Sequence, residues 1–170
     1  MTHSSSIKYN RTILIDILFV VFIYMVPTIS HLLRFPLYML DPMRLSVLGS
    51  YLILRSRYNA LILAFTLPLV SFLLSGHPII CKNVIIAIEL ALNVLIIDGL
   101  MKTRLNMFSI VFISIIMSKI VYYILKYILI SYGLLRTTII DTNLLIQFGV
   151  AILLSILFSK FFIRNDEIVC

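Results

Sequence analysis

Lys82, Glu89 and Asn93 recur at helical spacing inside one apolar run, so all three share a helix face. In a second run, Lys119, Tyr122, Tyr123 and Lys126 fall at i, i+3, i+4 and i+7 and form another stripe. Such groups can recognise and neutralise charge. A charged side chain at the centre of a bilayer costs about 2.5–3.5 kcal/mol on insertion scales. Both stripes are therefore expected to face a bundle interior or a wet cavity. If they meet, Glu89 and Lys119 form an ion pair, which could equally lock two helices or wall a ligand site. Between the runs that carry no stripe lie two polar connections. One is a kinked stretch with His31, Arg34, Pro36, Tyr38, Asp41, Pro42 and Arg44; the other is the turn Ser75-Gly76-His77-Pro78. Tyr127 and Tyr132, near a helix end, read as interfacial belt residues. One of Tyr122 and Tyr123 is expected to face lipid, and Lys126 to snorkel toward the surface. Asp16 and Asp98 lie near helix ends where a charge can reach water.

Signatures of catalysis and metal binding are missing. The chain has no Gly-rich phosphate loop, HExxH or GxSxG motif. Asp98-Gly99 is similar to the start of a phospholipid-synthase motif, but the later aspartates are not there. No second histidine stands at ligand spacing from His77, so neither a metal nor a cofactor is expected. Cys81 and Cys170 lack metal-type spacing and fall on opposite membrane faces in the topology below, which disfavours a disulfide. The chain is expected not to be an enzyme.

The elements that must position these groups follow from composition. Of 170 residues, 62% are hydrophobic and 12% charged, whereas soluble domains carry about 25% charged residues. Six apolar runs, at about 12–33, 43–54, 59–74, 79–101, 105–132 and 144–163, are expected to form an all-α membrane protein. They would make a compact six-helix transmembrane bundle, as one domain over 1–170. The first run is too long for a cleaved signal peptide and reads as a retained span. The second is short, about 18 Å at 1.5 Å per residue, and either tilts less than its neighbours or starts below the membrane surface. Lys8, Arg11, Arg55, Arg57, Lys102, Arg104, Lys160 and Arg164 collect on one side. Arg34, Arg44, Lys82 and Arg136 fall on the other. The positive-inside rule then puts both termini in the cytoplasm, in the cell inner membrane. It also accounts for the net charge of +7 without any nucleic-acid partner. No internal repeat or paired interrupted helices are visible, which weakens a self-sufficient secondary transporter.

The stretch from Pro68 to Pro78, PLVSFLLSGHP, followed by Ile88-Glu-Leu-Ala91 and Gly99-Leu100, resembles the substrate-binding S component of energy-coupling factor (ECF) transporters. Those subunits often show a P-x-x-S-x-L-L-T-G-x-P turn and then E-L-A. Pro42 to Ser50 is similar to their short second helix after a long outer loop. Ser118 to Tyr123 is similar to their fifth helix, where an arginine often takes the place of Lys119. The resemblance covers about residues 36–126. It implies a six-helix subunit that captures a vitamin or related small water-soluble nutrient at the outer face. A transmembrane coupling subunit and ATPase subunits would then drive uptake, so that ATP is used by the partners only. It implies Gly76, His77, Glu89, Asn93, Lys119, Tyr123 and Arg44 as substrate-binding residues. One departure concerns docking: the first helix, TILIDILFVVFIYMVPTI, has no alanine, where the family often presents several. The alternative is a non-transporting membrane scaffold, resembling the small multi-span proteins of cell-wall synthesis and cell shape. That reading expects a closed Glu89–Lys119 pair and no cavity. A membrane-embedded enzyme is a distant third.

Overall fold

The computed structural model describes residues 2–34, 37–75, 80–135, 137–138 and 143–167. These form six α-helices, one short 3-10 helix and no strand. α1 is Thr2–Leu33, α2 Pro42–Leu54, α3 Arg57–Ser75, α4 Ile80–Leu100, α5 Met107–Ser131 and α6 Leu144–Glu167; the 3-10 turn is Leu37–Leu40. Apolar runs become helices because a chain in hydrocarbon must satisfy every backbone N–H and C=O within its own segment. Among the described residues, four stretches are long and apolar enough to cross a bilayer: Thr12–Leu33, Ile80–Leu100, Met107–Ser131 and Leu144–Phe161. The chain therefore has the character of a multi-span membrane protein. Two of the six expected spans are shorter: α2 has 13 residues and α3 has 19. At 1.5 Å per residue α2 reaches only about 20 Å, well short of the ~30 Å hydrocarbon core.

From α3 to α6 each helix packs on the next, and α2 packs against α1, α3, α4 and α6. Consecutive helices run antiparallel: the start of α2 meets the first half of α4, while the ends of α2 and α4 meet near Asp98. The core is aliphatic, built from Val47 and Leu48 of α2, Leu63 and Leu67 of α3, Leu90, Val94 and Ile97 of α4, Val111 and Ile115 of α5, and Leu154 of α6. Gly49 of α2 lets α1 approach: a Cβ there would stand 3.0 Å from the Phe19 ring. The outward faces of α1 and α6 carry exposed Leu14, Ile17, Leu18, Leu145, Phe148 and Leu153. A helix buried on one side and apolar on the other suits lipid contact.

Two aspartates are paired between helices. Asp16 of α1 accepts a hydrogen bond from Asn59 Nδ2 at 2.8 Å and one from Ser50 at 3.5 Å. Asp98 of α4 accepts one from the Tyr51 hydroxyl at 3.2 Å and lies 3.5 Å from Arg57. Both aspartates, expected to reach water, are thus held by neighbouring helices. The thiol of Cys81 is free.

Candidate functional site: a charge-lined cavity above the short helix

Glu89 lies nine residues into α4, about 14 Å along its axis, and Lys119 is the middle residue of α5. Both sit near the midpoint of helices long enough to span. Their charges meet there: Lys119 Nζ is 3.2 Å from Glu89 Oε1. Two further charges come from the start of α2. Arg44 pairs with Glu89 through Nη2 and Oε1, and lies 3.5 Å from Asp41. Asp41 in turn is 3.9 Å from Lys119. Four alternating charges form a closed ring.

The shortness of α2 explains this position. A helix of full length would carry its N-terminus to the surface; one of about 20 Å starts its first turn near mid-depth, beside α4 and α5. Asp41 has a left-handed backbone, φ 53°, ψ 60°, a conformation an aspartate tolerates better than most residues. It turns the chain from the 3-10 segment into α2, and Pro42 occupies the first helical position, where no N–H is needed. The Leu37 N–H donates to Ser30 Oγ at 3.2 Å, which ties the connection back to α1.

Where α2 lacks its upper turns, a cavity of about 430 Å³ remains. Its wall takes Met39, Asp41, Pro42, Met43 and Arg44 from the start of α2 and the residues before it. Ile86 and Glu89 of α4 and Lys119 and Tyr122 of α5 complete one side, and Asn143, Ile146, Gln147 and Val150 close the other. The volume lies within the 300–1,000 Å³ typical of small-molecule sites. The charges divide into two layers. Arg44 and Glu89 are 2% and 4% exposed; the Asp41 and Lys119 side chains, 31% and 26% exposed, face the accessible space. The Lys119 ammonium also stands 5.2 Å from the centre of the Tyr122 ring, a cation–π contact. Arg44 Nε has no hydrogen-bond partner, so the buried guanidinium is only partly satisfied.

A second cavity, about 630 Å³, lies at the opposite end around Arg55, Ser56, Arg57, Tyr58 and Asp98. It is larger, but Arg57 there is 46% exposed and leans on the Tyr58 ring. Exposed charges gain little from one another; of these two cavities, it is the first that sets charges where water is scarce.

Of the residues expected to bind substrate, Arg44, Glu89 and Lys119 converge on the first cavity. Asn93 does not line it: fully buried one turn below Glu89, it links α4 to α5 through Ser114 Oγ at 3.2 Å and Ser118 Oγ at 3.4 Å. Tyr123 lies beside the wall, its hydroxyl donating to Gln147 Oε1 at 2.8 Å; its neighbour Tyr122 is the residue that faces the space. Neither tyrosine turns fully to lipid, because the two rings pack edge to face at 5.4 Å and both are half-buried. Gly76 and His77 lie outside the described residues. Lys126 does not snorkel: two turns from Lys119 and on the same face, it is 1% exposed. Tyr127 and Tyr132 do point outward. Asp41, Asn143 and Gln147 were not named as binding residues from the sequence: Asp41 and Asn143 fall in connections and Gln147 is a lone polar residue in α6, so none carries a periodic signal. Asp41 alone had a clue, three residues before Arg44. Among the described residues no cluster of His, Cys, Asp or Glu could hold a metal ion.

Comparison with known proteins returns no matching family model, no matching curated protein and no matching solved structure. The site therefore has to be read from its own geometry.

Proposed function

We propose that this chain is a membrane-embedded solute-capture subunit of the ECF type, with the cavity above α2 as its binding site. The observation that carries the reading is the cavity itself: about 430 Å³ of space beside four charges at mid-helix depth. Ionisable groups inside a membrane are costly and commonly line solute or ion pathways, so they are by default candidate functional groups. In this reading all six helices lie in the cell inner membrane with both termini cytoplasmic, and the cavity end faces out. A vitamin or related small water-soluble nutrient enters between the start of α2 and α6. A transmembrane coupling subunit and ATPase subunits supply the energy, and this chain needs no cofactor of its own. The apolar, alanine-free outer face of α1 is compatible with a partner helix but does not select one.

The scaffold reading is favoured by one observation, the closed Glu89–Lys119 pair, and opposed by the open volume next to it. Filling the space separates the two. In purified protein, low-molecular-weight fractions of a cell extract are expected to raise the melting temperature of the wild type. They should leave Ile146→Trp, whose residue 146 side chain is 41% exposed at the cavity wall, unprotected. If no fraction stabilises the wild type, the capture reading is wrong and the scaffold reading stands.

A further inference from the structure

We infer that the solute is a compact zwitterion of the α-amino-acid type with an apolar side chain, an inference that rests on the capture reading above. The charges most open to a solute are one anion and one cation, the Asp41 carboxylate and the Lys119 ammonium, 3.9 Å apart. Theirs is the longest contact in the ring, so it is the one that yields most easily to an inserted group. A solute ammonium set against Asp41 and a solute carboxylate set against Lys119 would continue the alternation of charge. Arg44 and Glu89, buried behind them, hold the two in place.

Two physical constraints select this class. The ring contains two cations and two anions and is formally neutral, so a solute with net charge would leave an uncompensated charge away from water. That is the costliest arrangement for a buried ion. A zwitterion leaves the sum at zero. The ring is also compact, with Lys119 3.2 Å from Glu89 and 3.9 Å from Asp41. Complementary charges on the solute must therefore sit on groups close together, as the ammonium and carboxylate that share one carbon in an α-amino acid do. Asn143 and Gln147 apart, most of the remaining wall, Met39, Met43, Ile86, Ile146 and Val150, is apolar and offers methionine's adaptable surface. The Tyr122 ring beside Lys119 gives a flat face for a thioether or aromatic side chain.

Matched triads test the class directly. Methionine, 3-(methylthio)propylamine and 4-(methylthio)butanoate, and phenylalanine, phenethylamine and 3-phenylpropanoate, are titrated against the full chain in lipid nanodiscs by thermal shift and calorimetry. Any ligand released from the purified wild type on denaturation is identified by mass spectrometry. The amino acid of a triad is expected to bind at least about tenfold more tightly than either singly charged analogue, a gap of ~1.4 kcal/mol. Asp41→Asn makes the ring formally +1 and should swing preference toward the carboxylate; Lys119→Gln makes it −1 and should swing preference toward the amine. A released molecule bearing adjacent ammonium and carboxylate groups supports the inference even if neither triad binds. If a singly charged analogue binds the wild type best, or the released ligand carries a net charge or no ionised group at all, the zwitterion is overturned and the capture reading survives. If triads and extract fractions all fail to bind, both fall.

Discussion

Arg44 is the residue on which the site turns. It is 2% exposed, pairs with Glu89, and approaches Asp41 at 3.5 Å. Such a cation is tolerated inside a bundle only while its partners remain, because the desolvation cost persists after the attraction is gone. Removing one member of a buried pair costs about 3–5 kcal/mol, whereas replacing both with apolar groups is often neutral. Arg44→Met leaves Glu89 with Lys119 as its remaining cation, so the loss should fall at the low end, about 3 kcal/mol. Arg44→Met/Glu89→Leu together should recover most of that loss. Unfolding in detergent micelles measures both, and a single mutant within 1 kcal/mol of wild type on that scale would show that the pair is not held out of water. Asn93, named from the sequence as a ligand contact, instead bridges Ser114 and Ser118, a bond worth about 0.6 kcal/mol on average in a membrane bundle. Its type and period match a binding residue, and only its position along α4, one turn too deep, separates the two roles.

At the scale of elements, α2 decides the architecture. Its 13 residues place Arg44 beside mid-helix groups and leave a volume unfilled above. Its packing on α1 depends on Gly49, where a Cβ would press on the Phe19 ring at 3.0 Å. Gly49→Leu should therefore push α1 away and destabilise the bundle by about 1–3 kcal/mol. Phe19→Ala in the same chain should relieve part of that cost. Paired melting curves check this; a Leu substitution without effect would mean that α1 rides loosely on α2. The shortness of α2 was readable from the run between Pro42 and Arg55. Its depth was undecided between less tilt and a lowered start; the ion pairs to α4 set its first turn level with the middle of that helix.

Across the whole molecule, orientation remains an inference from charge: basic residues gather at the Arg55-Ser-Arg57 and Lys102-Thr-Arg104 turns. With Cys81 and Cys170 replaced by serine, Ser56→Cys and Thr103→Cys should resist a membrane-impermeant maleimide in intact cells, and Tyr132→Cys and Leu134→Cys should react. The reverse pattern would place the cavity end inside and make outward capture untenable. Sequence alone determined that the chain is all-helical and membrane-embedded, because apolar run length and the scarcity of charge leave few other ways to satisfy its backbone. It also marked Glu89 and Lys119, because a charge inside an apolar run is visible wherever it falls, whereas Arg44 was named only through the family resemblance. Tertiary structure decided that these three meet Asp41 in a ring, that Tyr122 rather than Tyr123 faces the space, and that Asn93 lies beneath it. Those outcomes depend on the relative depth and rotation of helices whose packing faces are nearly uniform in hydrophobicity, and a pattern of apolar residues on all sides carries no signal for either.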